Sequence, residues 1–431
     1  MKPFLSTFLL SSLGATLLLA PSGHAQTAAP ESPAISLSAL VGEIAAHNPE
    51  LKFYDAEIAA AKAGHRAAAS LNDPELSFDL GYKRVRDPAG ALAGEGTAWS
   101  VSVMQTFEWP GRLDLRKAIA NQQLTLAELS LARFKNALAA RARVLAYGLY
   151  AANAKAAAVR EVAERFVALK ETFLAREPAG VTPLLETRIV EASELALQRR
   201  ATEAELTLQA ALIELNQLRG AALDAPLRVT APALTLNAAP ARDALLTGAH
   251  ENNFVFKMRR AELEQQGYTV RLARNERRPS VSVGPFVSRE NAADRETVVG
   301  LSLSLPVPVS GRTRGNVELA EARRRQAEIA MLVAQRELDR QVFTAAQAFA
   351  AKSAEARRWP PEAMKKFGEA AALADRHYRL GAVPIATYIE LQNSYLEATE
   401  ALLDTQREAL EAGLKLQELT GLDFPPVEVA P

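Results

Sequence analysis

One stretch of the chain has a strong helix-forming composition over an unusual length. Between Gly111 and Pro178 the sequence contains no Pro and only one Gly, Gly148, and it is rich in Ala, Leu, Arg and Glu. Leucines recur at seven-residue intervals from Leu124 to Leu145, the spacing of one coiled-coil seam. At ~1.5 Å per residue, a helix of about 65 residues is ~100 Å long. Such a helix needs other helices beside it.

A short break and a second helical run follow this helix. The sequence Pro178-Ala-Gly180-Val-Thr-Pro183 ends the first run, because Pro and Gly are not carried through a helix interior. The second run, Leu184–Leu218, stops before Gly220, the residue type expected just past a helix end. The two runs predict a helical hairpin with unequal arms. The segment Leu37–Leu71 has about the length needed to lie beside the part of the first arm that extends beyond the second.

The same plan occurs twice, about 200 residues apart. We therefore predict a duplicated unit, each copy reading helix, two strands, very long helix, tight turn and shorter helix. The landmarks that recur in order are Asn48 with Asn253, Pro74 with Pro279, Gly111-Arg112 with Gly311-Arg312, Gly180-Val-Thr-Pro183 with Gly381-Ala-Val-Pro384, and Leu218-x-Gly220 with Leu419-x-Gly421.

The duplication sets the predicted domain boundaries. A signal peptide covers 1–25, a linker 224–242 and a C-terminal tail 422–431. The first repeat, 26–223, contains a helix, a strand pair at 76–107 and a helical hairpin at 112–219. The second repeat, 243–421, contains a helix over Asp243–Arg274, a strand pair at 280–306 and a hairpin at 314–420. Trp359-Pro360-Pro361 predicts a kink in its long helix, which would otherwise run from Gly315 to Arg379.

The N-terminus predicts export. Lys2 precedes an apolar run, Phe4–Ala20, which is followed by the small-x-small sequence Gly23-His24-Ala25. No later stretch of about 18 apolar residues follows. We expect a periplasmic or extracellular mature chain, unless it enters a membrane as strands.

The two strand pairs alternate strictly between apolar and small or polar residues. Leu76 to Tyr82 and Trp99 to Phe107 show this pattern, as do Val281–Val283 and Val299–Leu305. Each run has about ten residues, the length of a tilted bilayer-crossing strand, with polar loops at 86–96 and 289–296. One interpretation is a small soluble sheet packed on helices. The other is a membrane sheet, and then several chains must pool their strands, because open edges cannot face lipid.

Composition argues against enzymes and nucleic-acid binding. The chain has 50 basic and 50 acidic residues and no Cys, so no overall field attracts nucleic acid and no thiolate chemistry is available. The four His residues outside the signal peptide are scattered, without metal-ligand spacing. No phosphate-binding loop, nucleophile elbow or zinc-protease motif occurs. We predict no catalytic residues, no cofactor and no metal site.

Several local motifs carry a family resemblance over essentially the whole mature chain. In their order along both halves, they resemble the TolC-like outer-membrane factor (outer membrane efflux protein) family, and its CzcC-type heavy-metal efflux branch is the most similar. The motifs are Gln105-Thr-Phe-Glu-Trp-Pro-Gly-Arg112, Tyr378-Arg-Leu-Gly381, Tyr388-Ile-Glu-Leu-Gln-Asn393 and Leu396-Glu-Ala398.

The resemblance implies a mainly α fold with membrane β structure. Each chain of a homotrimer would give four strands to a 12-stranded outer-membrane β-barrel and helices to a long periplasmic α-helical barrel. The implied partners are a periplasmic membrane-fusion adaptor, an inner-membrane pump of the RND type and outer-membrane lipid, with no nucleic acid. The implied function is a passive exit duct for cations or small molecules, in the outer membrane and spanning into the periplasm of a Gram-negative cell.

The sequence leaves other functions open. The same architecture serves drug efflux and type I protein secretion. A different class is a soluble periplasmic coiled-coil scaffold or adaptor. Adaptors usually have a single hairpin and a lipoyl-like or barrel module, whereas this sequence predicts two hairpins and two strand pairs.

The resemblance also implies functional positions, each with a simpler alternative. At the helix tips the alternatives are docking of the adaptor and a purely structural turn. For the acidic residues near the tips they are a tunnel gate and a solvated acid at the start of a helix. At the strand-helix junctions they are contacts with carbonyl groups or lipid and simple solvation. The tip residues are Gly180, Val181, Thr182, Pro183, Arg379, Gly381, Val383 and Pro384; the gate candidates are Glu186, Thr387 and Glu390; the junction residues are Gly111, Arg112, Gly311 and Arg312.

Overall fold

A computed structural model of the chain describes residues 34–176, 184–292, 294–307, 311–360, 362–422 and 425–429. The predicted signal peptide and the first helix tip, Gly180 to Pro183, lie outside the described residues. None of the helices in these ranges is both long and apolar enough to cross a membrane.

Helices and strands alternate in the order that the duplication predicts. In chain order the elements are β1 (Ala34–Ile35), α1 (Leu37–His47), α2 (Leu51–Ala68), β2 (Glu75–Arg86), β3 (Leu92–Phe107), α3 (Arg112–Arg176), α4 (Leu184–Arg219), β4 (Arg228–Val229), β5 (Leu234–Leu236), α5 (Arg242–Asn252), α6 (Phe254–Asn275), β6 (Val281–Asn291), β7 (Arg295–Ser304), α7 (Arg312–Ala356), α8 (Ala363–Arg379), α9 (Ile385–Thr420) and β8 (Val427–Val429).

The helices form two unequal hairpins packed side by side. Helix α3 has 65 residues and packs against both the 36-residue α4 and the 36-residue α9. In the second repeat the long arm is divided into α7 and α8, at the Trp359-Pro360 sequence that predicts a kink. The Arg357 guanidinium at this break donates to the Leu236 carbonyl oxygen at 2.9 Å, so the end of α7 is anchored to β5.

The prediction of one continuous helix before each strand pair is wrong. The predicted helix Leu37–Leu71 is divided into α1 and α2 at Asn48, and Asp243–Arg274 is divided into α5 and α6 at Asn253. Both asparagines are buried and use their side chains to bond the backbone at the break. A side chain that satisfies backbone groups in this way competes with helix continuation.

The four long strands form one antiparallel sheet in the order β2-β3-β6-β7. Within each hairpin the strands continue further than the sequence predicts. Arg86 pairs with Leu92 and Asn291 with Arg295, so the predicted loops 86–96 and 289–296 are too long. The registers preserve the period-two pattern, and apolar residues of all four strands share one face.

The two larger buried clusters hold most of the helices together. The larger one joins α1, α3, α4, α5, α6, α7 and α9 around Tyr147, Leu215 and Phe349. The second lies toward the helix tips and contains Phe166 and Tyr388. The predicted linker and tail contain short strands, β4, β5 and β8, which pair as β1-β4 and β5-β8 beside the larger cluster.

Candidate functional site

The sheet exposes a continuous apolar face. Residues that are opposite one another across the strands, such as Phe78 and Val101, belong to it. Its edge-strand members are strongly exposed, with 70 % of Leu76 and 72 % of Leu301 accessible. A soluble protein rarely exposes contiguous apolar surface of this kind. The face consists of Leu76, Phe78, Leu80, Tyr82, Trp99, Val101, Val103, Phe107, Val281, Val283, Val287, Val299, Leu301 and Leu303.

The opposite face is lined by hydroxyl and charged groups. Thr106 and Ser282 are hydrogen-bonded through their hydroxyls at 2.8 Å across β3 and β6. The Ser100 hydroxyl donates to the Asp79 carboxylate at 2.6 Å. Lys83 on β2 reaches across β3 to pair with Glu290 on β6. The sheet therefore separates an apolar surface from a hydrated one.

The two outer strands of the sheet, β2 and β7, each pair on one side only within the described chain. An open strand edge presents unpaired N–H and C=O groups, which cannot be left facing lipid. Additional strands are therefore needed if the apolar face contacts a bilayer.

The two predicted junction arginines have different environments. The Arg112 side chain is buried and donates to Asn275 Oδ1 at 3.1 Å, to the Asn275 carbonyl at 3.2 Å and to the Arg278 carbonyl at 2.7 Å. Arg312 is exposed, although it follows Gly311 as Arg112 follows Gly111. The Arg112 guanidinium therefore bonds backbone carbonyls within the chain, whereas that of Arg312 is exposed, and the functional roles of both residues stay predictions.

Gly111 has a positive φ of 81°, a conformation that favours glycine. Gly311, at the equivalent position, has a φ of −67° and acts as the N-cap of α7. The two junctions are therefore similar in sequence and different in backbone conformation.

Two functional candidates at the junction were not identified from the sequence. Arg277 and Arg278 are exposed and follow the end of α6, and the Arg278 guanidinium lies 5.1 Å from the centre of the Trp109 ring. The run Glu276-Arg-Arg-Pro279 was the available signal. It places two adjacent arginines between the end of a helix and the start of a strand.

The second helix tip is a compact capped turn. Gly381 has a φ of 73°, its N–H donates to the Tyr378 carbonyl at 2.9 Å, and the Ala382 N–H donates to the His377 carbonyl at 2.9 Å. This is a Schellman-type helix end. Leu380 is 81 % exposed at the tip, which makes it available to a partner.

Aromatic stacking holds α3, α8 and α9 together above this tip. Tyr388 stacks on Phe166 with ring centres 5.4 Å apart and on Tyr378 at 5.1 Å. The Tyr388 hydroxyl lies 3.4 Å from Asp375, whose carboxylate also accepts from Arg379 at 2.9 Å. Burial of the ring raises the pKa of Tyr388 well above its usual range, so it stays protonated.

The other predicted tip and gate residues lie on different helices. Val383 is half-buried, and the exposed Pro384 is the N-cap of α9. Glu186 is half-exposed in the first turn of α4, where a carboxylate interacts favourably with the helix dipole. Thr387 and Glu390 are exposed on α9. The three gate candidates remain predictions, as does adaptor docking at the tips.

Across the described ranges, no group of three or more His, Cys, Asp or Glu residues could hold a metal ion. A cleft of about 500 Å³ lies between α3, α4 and α9. Its charged groups are already paired, Lys155 with Asp404 at 2.9 Å and Arg200 with Glu400 at 3.1 Å. These ion pairs link neighbouring helices rather than forming a reactive centre.

Comparison with known proteins gives a family match for the second repeat and structural matches for the fold. Residues 245–422, about two-fifths of the chain, match the family model described as outer membrane efflux protein. A search of curated proteins finds no match.

Three solved structures illustrate the likeness of the fold. The Campylobacter jejuni CmeC outer membrane channel has a TM-score of 0.73 and 15 % identity, over 89 % of this chain and 85 % of that one. A membrane protein from Pseudomonas aeruginosa has a TM-score of 0.70 and 21 % identity, over 89 % and 90 %. CusC, studied for its folding and transmembrane channel formation, has a TM-score of 0.69 and 15 % identity, over 92 % and 95 %. The chain therefore has a TolC-like outer-membrane channel fold, and its second repeat matches the outer membrane efflux protein family.

Proposed function

We propose that this protein is the outer-membrane exit duct of a tripartite efflux system. The observation that carries the proposal is the four-stranded sheet with an exposed apolar face and two open edges, joined directly to helices of up to 65 residues. The apolar face would contact the lipid, and the hydroxyl face would line a water-filled lumen. The family description of the second repeat supports efflux as the process.

The duct would be a homotrimer. Three copies supply 12 strands, since each chain contributes four to the sheet. A closed membrane barrel needs about eight or more strands, so one copy cannot close alone. Antiparallel contact between β2 of one copy and β7 of the next would satisfy both open edges. The helical hairpins would then form a tunnel reaching into the periplasm.

The chain would act passively. We propose that a periplasmic membrane-fusion adaptor docks at the helix tips around Gly381 and Leu380, and that an inner-membrane pump of the RND type supplies energy and direction. The exposed Leu380 side chain and the rigidly capped Gly381 turn support a contact at this end. The first tip, Gly180 to Pro183, would take the equivalent role in the other hairpin.

Heavy-metal cations are the cargo we propose, because the junction motif ending at Arg112 resembles that of the CzcC-type branch. The fold similarity to CusC and to CmeC does not discriminate between cargo classes. Drug efflux is therefore the second candidate.

Tolerance of a deletion strain tests this function. Loss of the protein should lower the tolerated concentration of divalent metal ions, and the wild-type gene should restore it. The substitution Gly381→Ala, which strains a residue at positive φ by ~1–2 kcal/mol, should restore tolerance less well. Gly267→Ala, at a helical position with open space, is the matched control. Unchanged tolerance of metals and drugs in the deletion strain would contradict the proposal.

A further inference from the structure

Four exposed arginines form a band where the apolar sheet face ends. Arg278 lies three residues before β6 begins, and Arg277 precedes it. Arg312 and Arg314 begin α7, shortly after β7 ends. We call these four residues the basic junction band.

Helix packing brings the two halves of the band to the same level. Helices α6 and α7 are antiparallel neighbours, with Val270 and Ala273 buried against Ala320. The Arg274 guanidinium donates to the Glu321 carboxylate at 2.7 Å and fixes this register. The end of α6 therefore lies beside the start of α7.

The band carries an excess of positive charge. In the parts of the chain that the structure describes, no carboxylate pairs with Arg277, Arg312 or Arg314. The carboxylates close to it in sequence and without an ion pair among the described residues are Glu276 and Glu318, both exposed. The four guanidinium groups thus outnumber the two carboxylates that lie close to them in sequence, and the excess positive charge is available to an external anion.

An aromatic side chain connects the band to the apolar face. Trp109 follows β3, is 39 % exposed, and carries the Arg278 guanidinium over its ring. Leu305 is 50 % exposed at the end of β7. Trp and Arg placed where an apolar band meets water are typical of a membrane interface. The apolar face thus continues directly into the basic junction band.

We propose that the basic junction band binds the phosphate of anionic phospholipid headgroups, with Trp109 inserted beside the glycerol region. The inference rests on the proposed membrane location of the sheet. Each arginine near a membrane surface adds favourable electrostatic attraction to anionic lipid. Guanidinium groups can donate to the phosphate of either kind of headgroup. An anionic headgroup has no cation of its own beside the phosphate, so its attraction to the band is stronger. The band would fix the depth at which the helical tunnel leaves the bilayer.

Fluorescence quenching of Trp109 by brominated lipids tests this site. The chain contains three tryptophans, so Trp99→Phe and Trp359→Phe leave Trp109 as the only reporter. The protein is reconstituted in phosphatidylcholine vesicles that contain phosphatidylglycerol, with bromine on one lipid or the other. We expect phosphatidylglycerol to bind around Trp109 roughly tenfold more strongly than phosphatidylcholine, after correction for the bulk fraction of each lipid.

Variants distinguish the effect of the basic junction band from that of surface charge elsewhere on the protein. Arg277→Gln with Arg278→Gln should abolish the preference for phosphatidylglycerol. Arg323→Gln with Arg325→Gln removes the same charge from an exposed part of α7 further along the helix and should leave the preference unchanged. Quenching by each lipid in proportion to its bulk fraction, or an equal loss of the preference in both variants, would overturn the inference.

Two further outcomes are informative. One distinguishes binding of a soluble anion from binding of a lipid, and the other distinguishes failure of the lipid-binding inference from failure of the proposed membrane location. Abolition of the preference by millimolar inorganic phosphate, at constant ionic strength, would identify a soluble-anion site and overturn the lipid assignment. Absence of quenching by any brominated lipid, both at Trp109 and in a variant that retains only Trp99, would contradict the proposed membrane location itself. Quenching without headgroup preference would contradict only the basic junction band.

Discussion

Asn48 and Asn253 perform the same structural task in the two halves of the chain. The Asn48 amide donates to the Leu218 carbonyl at 2.9 Å, and the Asn253 amide donates to the Leu419 carbonyl at 3.0 Å. Each asparagine divides the helix before a strand pair and ties the break to the C-terminal end of the hairpin.

Replacement of either asparagine should destabilise the fold. Asn48→Ala or Asn253→Ala leaves a buried carbonyl without its donor, which costs about 1–3 kcal/mol of unfolding free energy. Thermal unfolding in detergent should show the loss. Asn237→Ala is the control, because this exposed amide also donates to a carbonyl, that of Pro425 at 2.9 Å, and its loss should cost less than ~0.5 kcal/mol. Equal effects at Asn48 and Asn237 would contradict the assignment.

The two junction arginines should respond differently to substitution. Arg112→Ala removes three hydrogen bonds from a buried guanidinium and should lower the unfolding free energy by about 2–4 kcal/mol. Arg312→Ala removes an exposed side chain at the equivalent position and should change it by less than ~0.5 kcal/mol. Thermal unfolding of both variants measures the difference. A comparable loss in both would mean that Arg312 is engaged in the assembled protein.

These asparagines and arginines show what the sequence could predict. Hydrophobic periodicity was sufficient to predict the long helices and the two-faced strands, because the pattern of apolar residues is repeated along each element. The division at Asn253 has no proline to indicate it and depends on a carbonyl 166 residues away. Arg112 and Arg312 each follow a glycine at the start of a long helix, and the contacts of Arg112 with Asn275 and Arg278 distinguish it from Arg312. The three-residue strands β5 and β8 are too short to give a periodic signal.

The two faces of the sheet should differ in their tolerance of charge. Leu301→Arg places a cation on the apolar face, where Arg near the bilayer midplane costs ~2–4 kcal/mol. Ser302→Arg, one residue along the same strand, faces the opposite side. We expect far less assembled protein in the outer membrane for Leu301→Arg than for Ser302→Arg. Similar assembly levels would argue for an ordinary soluble sheet.

The contact between α6 and α7 should weaken in acid. The Arg274 guanidinium hydrogen-bonds Glu321 and holds the pKa of this carboxylate below its usual value. Because the folded pKa is lowered, the stabilisation is present above the unfolded pKa, near 4.5, and is lost as the pH falls through the folded value. The pair is largely exposed, so the effect should be small. The difference in melting temperature between wild type and Glu321→Gln should therefore shrink below about pH 4. A difference that is constant with pH would rule out this ion pair as the cause.

An acidic gate would affect ion selectivity. If Glu186 and Glu390 line the tunnel, Glu186→Gln with Glu390→Gln should reduce the preference for cations, because a ring of carboxylates raises local cation concentration. Reversal potentials across a planar bilayer under a salt gradient measure this preference. Glu191→Gln, on a different face of α4, is the control. An unchanged reversal potential would leave Glu186 as a helix-start acid worth ~0.3–1 kcal/mol to its helix.

The central claim is that several copies of this chain close one membrane barrel. The most direct measurement is the mass of the protein extracted by detergent from separated outer and inner membranes, determined by light scattering with correction for bound detergent. We expect the protein in the outer-membrane fraction, with three times the protomer mass. A single-copy mass in the soluble periplasmic fraction would contradict it.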